Sequence, residues 1–211
     1  MNINYLKDFN TIFWDFDGVI KDSVEVKSDV FEQLFLPFGK KVAKKIRNHH
    51  EMNGGVSRFE KLPIYIKWSK QKPTKKIVNE YALIFSTLVR QKVINSEWVP
   101  GVLNYLNSNH NKYCFFLVTA TPQQEIEDIL KALKIKHFFK GVFGSPVKKI
   151  DSIKSILKRY SISCDSSIMI GDSMSDYNAA NMSEISFVLR RTALNKRLQQ
   201  QLNCKMIDDF L

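Results

Sequence analysis

Asp15-Phe16-Asp17-Gly18 directly follows the short stretch TIFW at residues 11–14. An apolar run of this kind favours a strand that is buried on both faces, as in a parallel sheet. Two carboxylates two residues apart at the end of such a strand raise each other's pKa, because like charges repel. A divalent cation would relieve that repulsion, and Gly18 would let the chain turn sharply off the strand. The stretch therefore predicts a metal-assisted site in which one carboxylate is free to attack.

The chain beyond residue 94 alternates between strand and helix patterns. Strands are predicted over residues 113–119, 141–144, 167–170 and 185–189, and helices over 123–133 and 151–160. This alternation predicts a parallel sheet with helices on both faces. The functional loops of such sheets lie at the carboxyl ends of the strands. There this chain carries VTAT at 118–121, GSPVKK at 144–149 and GDSMSD at 171–176.

Between residues 22 and 93 the strand pattern disappears. Helices are predicted over residues 24–36, 40–51, 57–70 and 74–92, and Pro37, Gly39, Gly54 and Pro73 lie among the residues that separate them. The sequence therefore predicts an α/β core formed by residues 1–21 and 94–211, with a helical insertion over residues 22–93.

Length and composition limit the class of protein. The 211 residues, 44% of them hydrophobic, suffice for one catalytic domain with a small insertion. Residues 1–8 lack the apolar stretch of a signal peptide, and the longest apolar run, near residues 114–118, is too short to cross a bilayer. Cys114, Cys164 and Cys204 form no CxxC pair, which is typical of reduced cysteines. We expect a cytoplasmic protein with no membrane partner, and we take a monomer as the default oligomeric state.

The chain carries a formal net charge of +11. Its basic residues are spread along the sequence in small clusters at 40–41, 44–45, 75–76 and 148–149, without interleaved aromatic residues. This distribution favours a solvated, lysine-rich surface, with a basic rim that attracts a phosphorylated substrate as the alternative. Nucleic acid is not an expected partner.

Taken together, the four polar segments resemble the motifs of the haloacid dehalogenase-like (HAD) phosphohydrolase superfamily. They follow the order of that superfamily: DFDGVIKDS at 15–23, VTAT at 118–121, GSPVKK at 144–149 and IMIGDSMSD at 168–176. The resemblance extends from about residue 10 to about residue 190 and is looser between the first two motifs. It implies a Rossmann-like parallel sheet (HAD fold) with an inserted helical cap of the first type, which closes over the site. The chain looks most like the branch of phosphoglycolate phosphatase and β-phosphoglucomutase.

The resemblance implies four catalytic residues. Asp15 would attack phosphorus and form an aspartyl-phosphate, and Asp17 would act as general acid and base. Thr119 would donate its hydroxyl to the transferring phosphoryl group, and Lys149 would balance the negative charge. Four alternatives remain open. Asp15 could simply cap the turn after its strand, and Asp17 could be a hydrogen bonder that stabilises the flap. Thr119 could be an ordinary β-branched strand residue, and Lys148 could take the place of Lys149.

The resemblance also implies a metal site for Mg²⁺, an ion that prefers hard oxygen ligands. Its ligands would be the side chains of Asp15 and Asp172 and the backbone carbonyl of Asp17. Asp176 would bind the ion directly, bind it through water, or orient its waters. In the competing interpretation Asp172 is only the N-cap of the following helix.

The substrate would be held by Gly18, by the Ala120 backbone amide and by Arg58. Residues 54–58 (GGVSR) resemble the cap segment of β-phosphoglucomutase-like proteins, in which an arginine faces the distal phosphate of the substrate. An exposed helix arginine is the alternative for Arg58. For His49 and His50 we expect a surface or helix-end role.

These residues predict a Mg²⁺-dependent phosphatase that hydrolyses a small phosphorylated metabolite. Because Asp17 is present, a dehalogenase is disfavoured. A phosphomutase of the β-phosphoglucomutase type is the alternative enzyme, with Arg58 as its support. A non-catalytic HAD-like binding module is the third hypothesis, and the complete set of polar residues argues against it.

Overall fold

The computed structural model describes residues 3–211, so the first two residues of the predicted core lie outside the described part. A six-stranded sheet forms the centre of the molecule, in the order β3-β2-β1-β4-β5-β6. All neighbouring strands are parallel. The strands are β1 (Thr11–Trp14), β2 (Cys114–Pro122), β3 (Gly141–Ser145), β4 (Ser167–Gly171), β5 (Ser186–Arg190) and β6 (Lys205–Ile207). The predicted α/β fold with a Rossmann-like parallel sheet is confirmed.

Strand β1 lies between β2 and β4 because every residue of TIFW can be buried. Its first residue, Thr11, is level with Cys114 on one side and with Ser167 on the other. Parallel strands that start level also end at one edge of the sheet. This register brings the segments after β1, β2 and β4 together at the carboxyl edge.

Nine α-helices are present among the described residues. Four of them lie between β1 and β2: α1 (Val24–Phe35), α2 (Lys40–Met52), α3 (Arg58–Trp68) and α4 (Lys75–Asn95). The others are α5 (Val102–Asn109), α6 (Gln123–Ala132), α7 (Lys149–Arg159), α8 (Met174–Met182) and α9 (Lys196–Gln201). Short 3₁₀ turns occur at Ile3–Asp8, Leu36–Phe38 and Lys136–Phe138. The six helices predicted from spacing all form, with ends within a few residues, whereas the exact division of the chain at residues 22 and 93 stays a prediction.

The alternation of side chains along β1 divides the apolar interior into two clusters. Ile12 and Trp14 belong to a large cluster that continues into the helical insertion, where it includes Phe31 and Phe85. Phe13 belongs to a smaller cluster on the other side of the sheet. Successive residues of a strand point to opposite faces, so this four-residue strand anchors both layers of the core.

A buried ion pair joins the helical insertion to the sheet layer. Arg58, the first residue of α3, binds Glu125 of α6 in a bidentate manner, with Nη1–Oε2 and Nη2–Oε1 distances of 2.8 and 2.5 Å. The two side chains are only 5% and 4% exposed. The Arg58 guanidinium also donates to Ser86 Oγ at 2.9 Å and lies 4.5 Å from the centre of the Phe85 ring. The pair therefore fixes the insertion against the core.

Two further expectations concern cysteines and membranes. All three cysteines are free, as predicted. Among residues 3–211, no helix combines the length and the apolar character needed to cross a membrane.

The Arg58–Glu125 pair generates a stability prediction. Arg58→Ala should lower the free energy of unfolding by about 3–5 kcal/mol, because Glu125 would be left buried without a partner. Replacing both residues, as in Arg58→Met with Glu125→Leu, should cost less. The exposed ion pair between Arg90 of α4 and Asp128 of α6 is the matched control. Its Nη1–Oδ2 distance is 3.3 Å, and the two side chains are 46% and 39% exposed. Arg90→Ala should change the stability by about 0–1 kcal/mol. Urea denaturation measures all three variants, and equal losses for Arg58→Ala and Arg90→Ala would contradict the prediction.

Candidate active site

Five of the polar residues singled out from the sequence meet at the carboxyl edge of the sheet, and all five are buried: Asp15, Thr119, Lys149, Asp172 and Asp176. They come from the ends of β1, β2 and β4 and from the starts of α7 and α8. The parallel register brings them together although up to 161 residues of sequence separate them. The arrangement places acidic, basic and hydroxyl groups in one water-poor region.

Lys149 links two of the carboxylates. Its Nζ lies 2.9 Å from Asp15 Oδ2 and 2.5 Å from Asp176 Oδ1. Burial opposes its charge, but Asp15 and Asp176 together raise the pKa of Lys149 above its usual value, so the lysine is a cation. Lys149 is the first residue of α7, whereas Lys148 precedes the helix and is exposed. Of the two lysines, Lys149 is therefore the one that contacts the buried carboxylates.

The carboxylates of Asp15, Asp172 and Asp176 each offer an oxygen within 4.8 Å of the others. Burial, and after it the charge of Asp176, raises the pKa of Asp15 to about 7 despite the opposing effect of Lys149. Burial and the charge of Asp15 likewise raise the pKa of Asp172 well above its usual range. Such a cluster favours either a proton or a cation. Its oxygen ligands fit a hard divalent ion.

Asp17 contributes to this cluster differently. Its carboxylate is not among the three that converge, and its backbone carbonyl accepts no hydrogen bond from the described residues. The carbonyl therefore has no hydrogen-bond donor among the described residues, and its role as a metal ligand stays a prediction.

Hydrogen bonds orient the two acidic residues that follow β4. The amide and the hydroxyl of Ser173 donate to Asp176 Oδ2 at 3.1 and 2.5 Å. Asn195 Nδ2 donates to the backbone carbonyl of Asp172 at 2.8 Å. The N-cap of α8 is Ser173, so the interpretation of Asp172 as a simple helix cap is wrong.

Gly18 permits the close approach of the first and last motifs. Its φ angle is +76°, a conformation that side chains disfavour, and a Cβ atom there would lie 2.2 Å from Asp172 Oδ2. Gly18 is not among the residues that line the cavity described below. In this structure, the lack of a side chain at Gly18 allows the Asp172 carboxylate to pack against the turn.

The Asp17 carboxylate is held by three side chains. It accepts hydrogen bonds from Ser23 Oγ at 2.6 Å and Thr121 Oγ1 at 3.1 Å, and it forms an ion pair with Lys27. Lys27 also donates to Thr121 Oγ1 at 2.9 Å. Although burial acts in the opposite direction, Lys27 and the two hydroxyls hold the pKa of Asp17 below its usual value. Asp17 is therefore ionised in this arrangement.

The end of β2 supplies the hydroxyl groups. Pairing between β2 and β3 is irregular from Val118 to Pro122, and Thr119, Ala120 and Thr121 lie in that interval. Thr119 Oγ1 accepts a hydrogen bond from the Thr121 amide at 3.2 Å, which orients its hydroxyl. Both Thr119 and Ala120 line the cavity over Asp15.

A small cavity of about 50 Å³ lies between the sheet edge and the helical insertion. Its floor includes Asp15, Asp17 and Asp172, and the insertion supplies a basic side that consists of Lys27, His50, Arg58 and Lys61. Water-sized space of this order holds roughly three or four water molecules. The cavity therefore suits a small ligand with negative charge.

Two expectations about the insertion change with the structure. Arg58 is buried, so the interpretation as an exposed helix arginine is wrong; it lines the cavity while its guanidinium binds Glu125. His50 lies in the last turn of α2, as expected for a helix-end role, but it is buried and lines the cavity, so a surface role is wrong. Burial removes both residues from bulk water because α3 and α2 pack over the sheet edge.

Sequence reasoning missed Lys27, Thr121 and Lys61. A signal for the lysines was present, because Lys27 is spaced by four from Phe31 and Lys61 by four from Tyr65. Residues at this spacing share one helix face. Both lysines thus lie on the apolar, buried faces of their helices.

The loop between α2 and α3 brings the insertion onto the core. Gly55 has a φ angle of +73°, and a Cβ atom there would lie 2.3 Å from Ser173 Oγ. Ser173 is the residue that orients Asp176. The insertion is therefore in close contact with the acidic cluster.

Comparisons with known proteins agree with this geometry. A phosphoglycolate phosphatase of Pseudomonas fluorescens is 25% identical over 184 residues, which cover 84% of this chain and 67% of that protein. A phosphoglycolate phosphatase of Vibrio cholerae is 33% identical over 91 residues, 40% of each chain.

Two solved structures share the fold. A haloacid dehalogenase-like hydrolase from Streptococcus pneumoniae has a TM-score of 0.69 and 20% identity, and the match covers 95% of this chain and 94% of the other. CbbY from Rhodobacter sphaeroides, in complex with xylulose-1,5-bisphosphate, has a TM-score of 0.75 and 13% identity, with 96% and 95% covered.

The family model of the haloacid dehalogenase-like hydrolases matches residues 12–189. That range contains Asp15, Lys149 and the acidic residues Asp172 and Asp176. The chain belongs to the haloacid dehalogenase-like hydrolase family.

Proposed function

We propose that this protein is a Mg²⁺-dependent phosphatase that hydrolyses a small phosphorylated metabolite through an aspartyl-phosphate on Asp15. The observation that carries the proposal is the buried Asp15 carboxylate, which lies 2.9 Å from Lys149 and faces a cavity that also contains Asp17 and Thr119. The two phosphoglycolate phosphatases among the relatives support this reaction class. Free cysteines agree with the cytoplasmic location that we expect.

Asp15 is fixed as a nucleophile from both sides. Its Oδ1 accepts a hydrogen bond from the Phe16 amide at 2.8 Å, and its Oδ2 contacts Lys149. In the first step a carboxylate oxygen of Asp15 bonds to phosphorus, and the bond from phosphorus to the leaving oxygen breaks. In the second step water attacks phosphorus, inorganic phosphate leaves and the carboxylate is restored.

Asp17 acts as the general acid of the first step and the general base of the second. It gives a proton to the leaving oxygen and then takes one from the attacking water. The contact with Lys27 keeps Asp17 ionised, as the second step requires. A negatively charged substrate competes for Lys27, which raises the pKa of Asp17 and lets it carry the proton of the first step.

The metal would be held by the side chains of Asp15, Asp172 and Asp176 and by the carbonyl of Asp17. When bound, Mg²⁺ neutralises the clustered carboxylates and draws negative charge away from the phosphoryl group. Lys149 supplies further positive charge from the protein itself. Thr119 and the Ala120 amide bind the phosphoryl oxygens from the β2 side.

The contacts of Arg58 favour the phosphatase over the mutase. The fork of Arg58, the only sequence feature that supported the mutase, is occupied by Glu125. A binding module without catalysis would not need a lysine between two buried carboxylates.

Asp15→Asn should abolish turnover while the protein stays folded. An amide is a poor nucleophile, and it removes one charge from a repelling cluster, so stability should not fall. Phosphate release from an aryl phosphate measures turnover, and circular dichroism measures folding. Asp165→Asn, which alters an exposed aspartate before β4, is the matched control and should keep its rate. A folded Asp15→Asn protein with the wild-type rate would refute the assignment.

Asp17→Asn should slow turnover by roughly 10²–10⁴-fold, the usual loss for a general acid–base group. The loss should be smaller for aryl phosphates than for alkyl phosphates, because a good leaving group needs less protonation. Rates for both substrate types test this difference. An equal loss for both would argue against the acid role.

EDTA should eliminate activity and Mg²⁺ should restore it, with Ca²⁺ a poor substitute because it prefers longer bonds and more ligands. Mg²⁺ should also raise the melting temperature, since a ligand at 100 times its Kd stabilises by about 2.7 kcal/mol. Asp172→Asn should lose most of this thermal shift. Full activity in EDTA, or an unchanged thermal shift in Asp172→Asn, would contradict the metal site.

A further inference from the structure

Almost all of the net positive charge of the chain lies in two short stretches of the helical insertion. Residues 36–45 (LPFGKKVAKK) contain four lysines, and residues 67–76 (KWSKQKPTKK) contain five. Neither stretch contains an aspartate or a glutamate, and all nine lysines are exposed. The formal net charge of the whole chain is +11. The charge of the protein is therefore concentrated in a small part of its sequence.

The helices place both stretches at the end of the insertion that is far from the sheet. Helix α2 begins at Lys40 and ends at Met52, which lines a cavity that also contains Lys149. Helix α3 begins at Arg58, in the active-site cavity, and ends at Trp68. Because an α-helix rises 1.5 Å per residue, the far ends of these two helices lie roughly 15–20 Å from the site. The exposed lysines are thus separate from the basic side of the cavity.

Three contacts hold the two stretches together at this end. The Nζ atom of Lys45 lies 3.9 Å from the centre of the Trp68 ring, which joins α2 to α3. Gln71 Nε2 donates to the Tyr81 hydroxyl at 2.9 Å, which joins the segment after α3 to α4. Phe35, the last residue of α1, stacks on Tyr81 with the ring centres 5.1 Å apart. The two stretches therefore form one surface, the basic end of the insertion.

The lysines of the basic end have almost no acidic partners. Among the described residues, only Lys76 of these nine forms an ion pair, with Glu80 at 4.0 Å. The neighbouring Arg47 is different, because it forms ion pairs with four carboxylates, those of Glu25, Asp29, Glu32 and Glu51. Positive charges that lie close together repel one another, and an anionic partner relieves that repulsion. The basic end therefore fits an extended anionic partner.

Two large apolar side chains are exposed on the same surface. Leu36 is 47% exposed and Phe38 is 37% exposed, and both lie directly before the lysines of α2. The centre of the Phe38 ring lies 6.0 Å from that of Phe35, beside the contacts described above. An anionic bilayer binds such a surface, because apolar groups enter the layer below the headgroups while lysines contact the phosphates. A nucleic acid backbone offers no such apolar layer, and its recognition favours arginine, which the basic end lacks.

We propose that the basic end binds the surface of a membrane that contains anionic lipids, with its lysines at the headgroups and with Leu36 and Phe38 in the interfacial layer. The active site lies at the opposite end of the insertion, so this contact does not cover it. The proposal goes beyond the phosphatase function and does not depend on it. It departs from the expectation of no membrane partner, which rested on the lack of a stretch long enough to cross a bilayer. A surface contact needs no such stretch.

Cosedimentation with lipid vesicles tests the proposal. The full chain is mixed with vesicles of phosphatidylcholine alone, or of equal parts phosphatidylcholine and phosphatidylglycerol, in EDTA so that no divalent cation bridges protein and lipid. Binding should require phosphatidylglycerol. It should be lost when salt rises from about 0.1 to about 1 M, since the screening length falls from about 10 to about 3 Å.

Paired lysine variants locate the binding surface. Lys41→Gln with Lys72→Gln removes one charge from each stretch and should weaken binding to the anionic vesicles by about 25-fold, at about fivefold for each lysine. Lys154→Gln with Lys158→Gln removes two exposed lysines of α7. This matched control should bind as the wild type does, and circular dichroism should show both proteins folded.

Phe38→Ser tests the apolar part of the contact. It should weaken binding to the anionic vesicles roughly tenfold, because the exposed part of the ring leaves water at the bilayer. Its retention on immobilised heparin should not change, since heparin is a polyanion without an apolar layer. Leu83→Ser, which alters a 69% exposed leucine of α4 outside the basic end, is the matched control and should keep both properties.

The outcomes decide for or against the membrane. Equal binding to neutral and anionic vesicles, or binding to neither, would overturn the proposal, and so would equal losses for the two lysine pairs. Binding to double-stranded DNA without binding to anionic vesicles at the same salt would identify nucleic acid as the partner instead. A Phe38→Ser protein with full affinity for the vesicles would show that charge alone accounts for binding, which overturns the lipid assignment. None of these results affects the proposed phosphatase.

Discussion

The ammonium of Lys149, held between the buried carboxylates of Asp15 and Asp176, is the interaction on which the site depends. It allows buried acidic groups from the end of β1 and from the start of α8 to approach each other. Three carboxylates against one ammonium still leave two negative charges, which a divalent cation would balance. The raised pKa values of Asp15 and Asp172 express the same imbalance. The core side of the cavity therefore favours a cation.

The helical insertion has the opposite imbalance. Three basic residues, Lys27, Arg58 and Lys61, face two carboxylates, those of Asp17 and Glu125, and Lys61 forms no ion pair with the described residues. The acidic excess of the core and the basic excess of the insertion face each other across one small cavity. The phosphorylated metabolite proposed above would place its phosphoryl group on the acidic side and further negative charge on the basic side.

The sequence predicted the parallel sheet. It also predicted that Asp15, Thr119, Lys149 and Asp172 lie in one site, because each of these residues follows a recognisable strand or starts the helix after it. It left Lys149 and Lys148 open, and only the start of α7 separates the buried lysine from the exposed one. The partner of Arg58 could not be predicted, since Glu125 lies 67 residues away and on another layer. Strand β6 was missed because it has only three residues, of which one is buried.

The cap residues were the hardest to interpret from sequence. Lysine usually lies at the surface, so a lysine-rich chain gives little reason to place Lys27 or Lys61 inside. Their spacing to Phe31 and Tyr65 indicated burial, but burial alone does not tell which group a lysine binds. The roles of the basic cap residues can be assigned only when the packing shows which of them form ion pairs.

Trapping the covalent intermediate tests the central claim most directly. The protein is incubated with phosphoglycolate and Mg²⁺, quenched with borohydride and digested, and the peptides are examined by mass spectrometry. Borohydride reduces an aspartyl-phosphate to homoserine, so the account predicts homoserine at position 15 and nowhere else. Homoserine at position 17, or steady phosphate release with no reduced residue at all, would contradict the account.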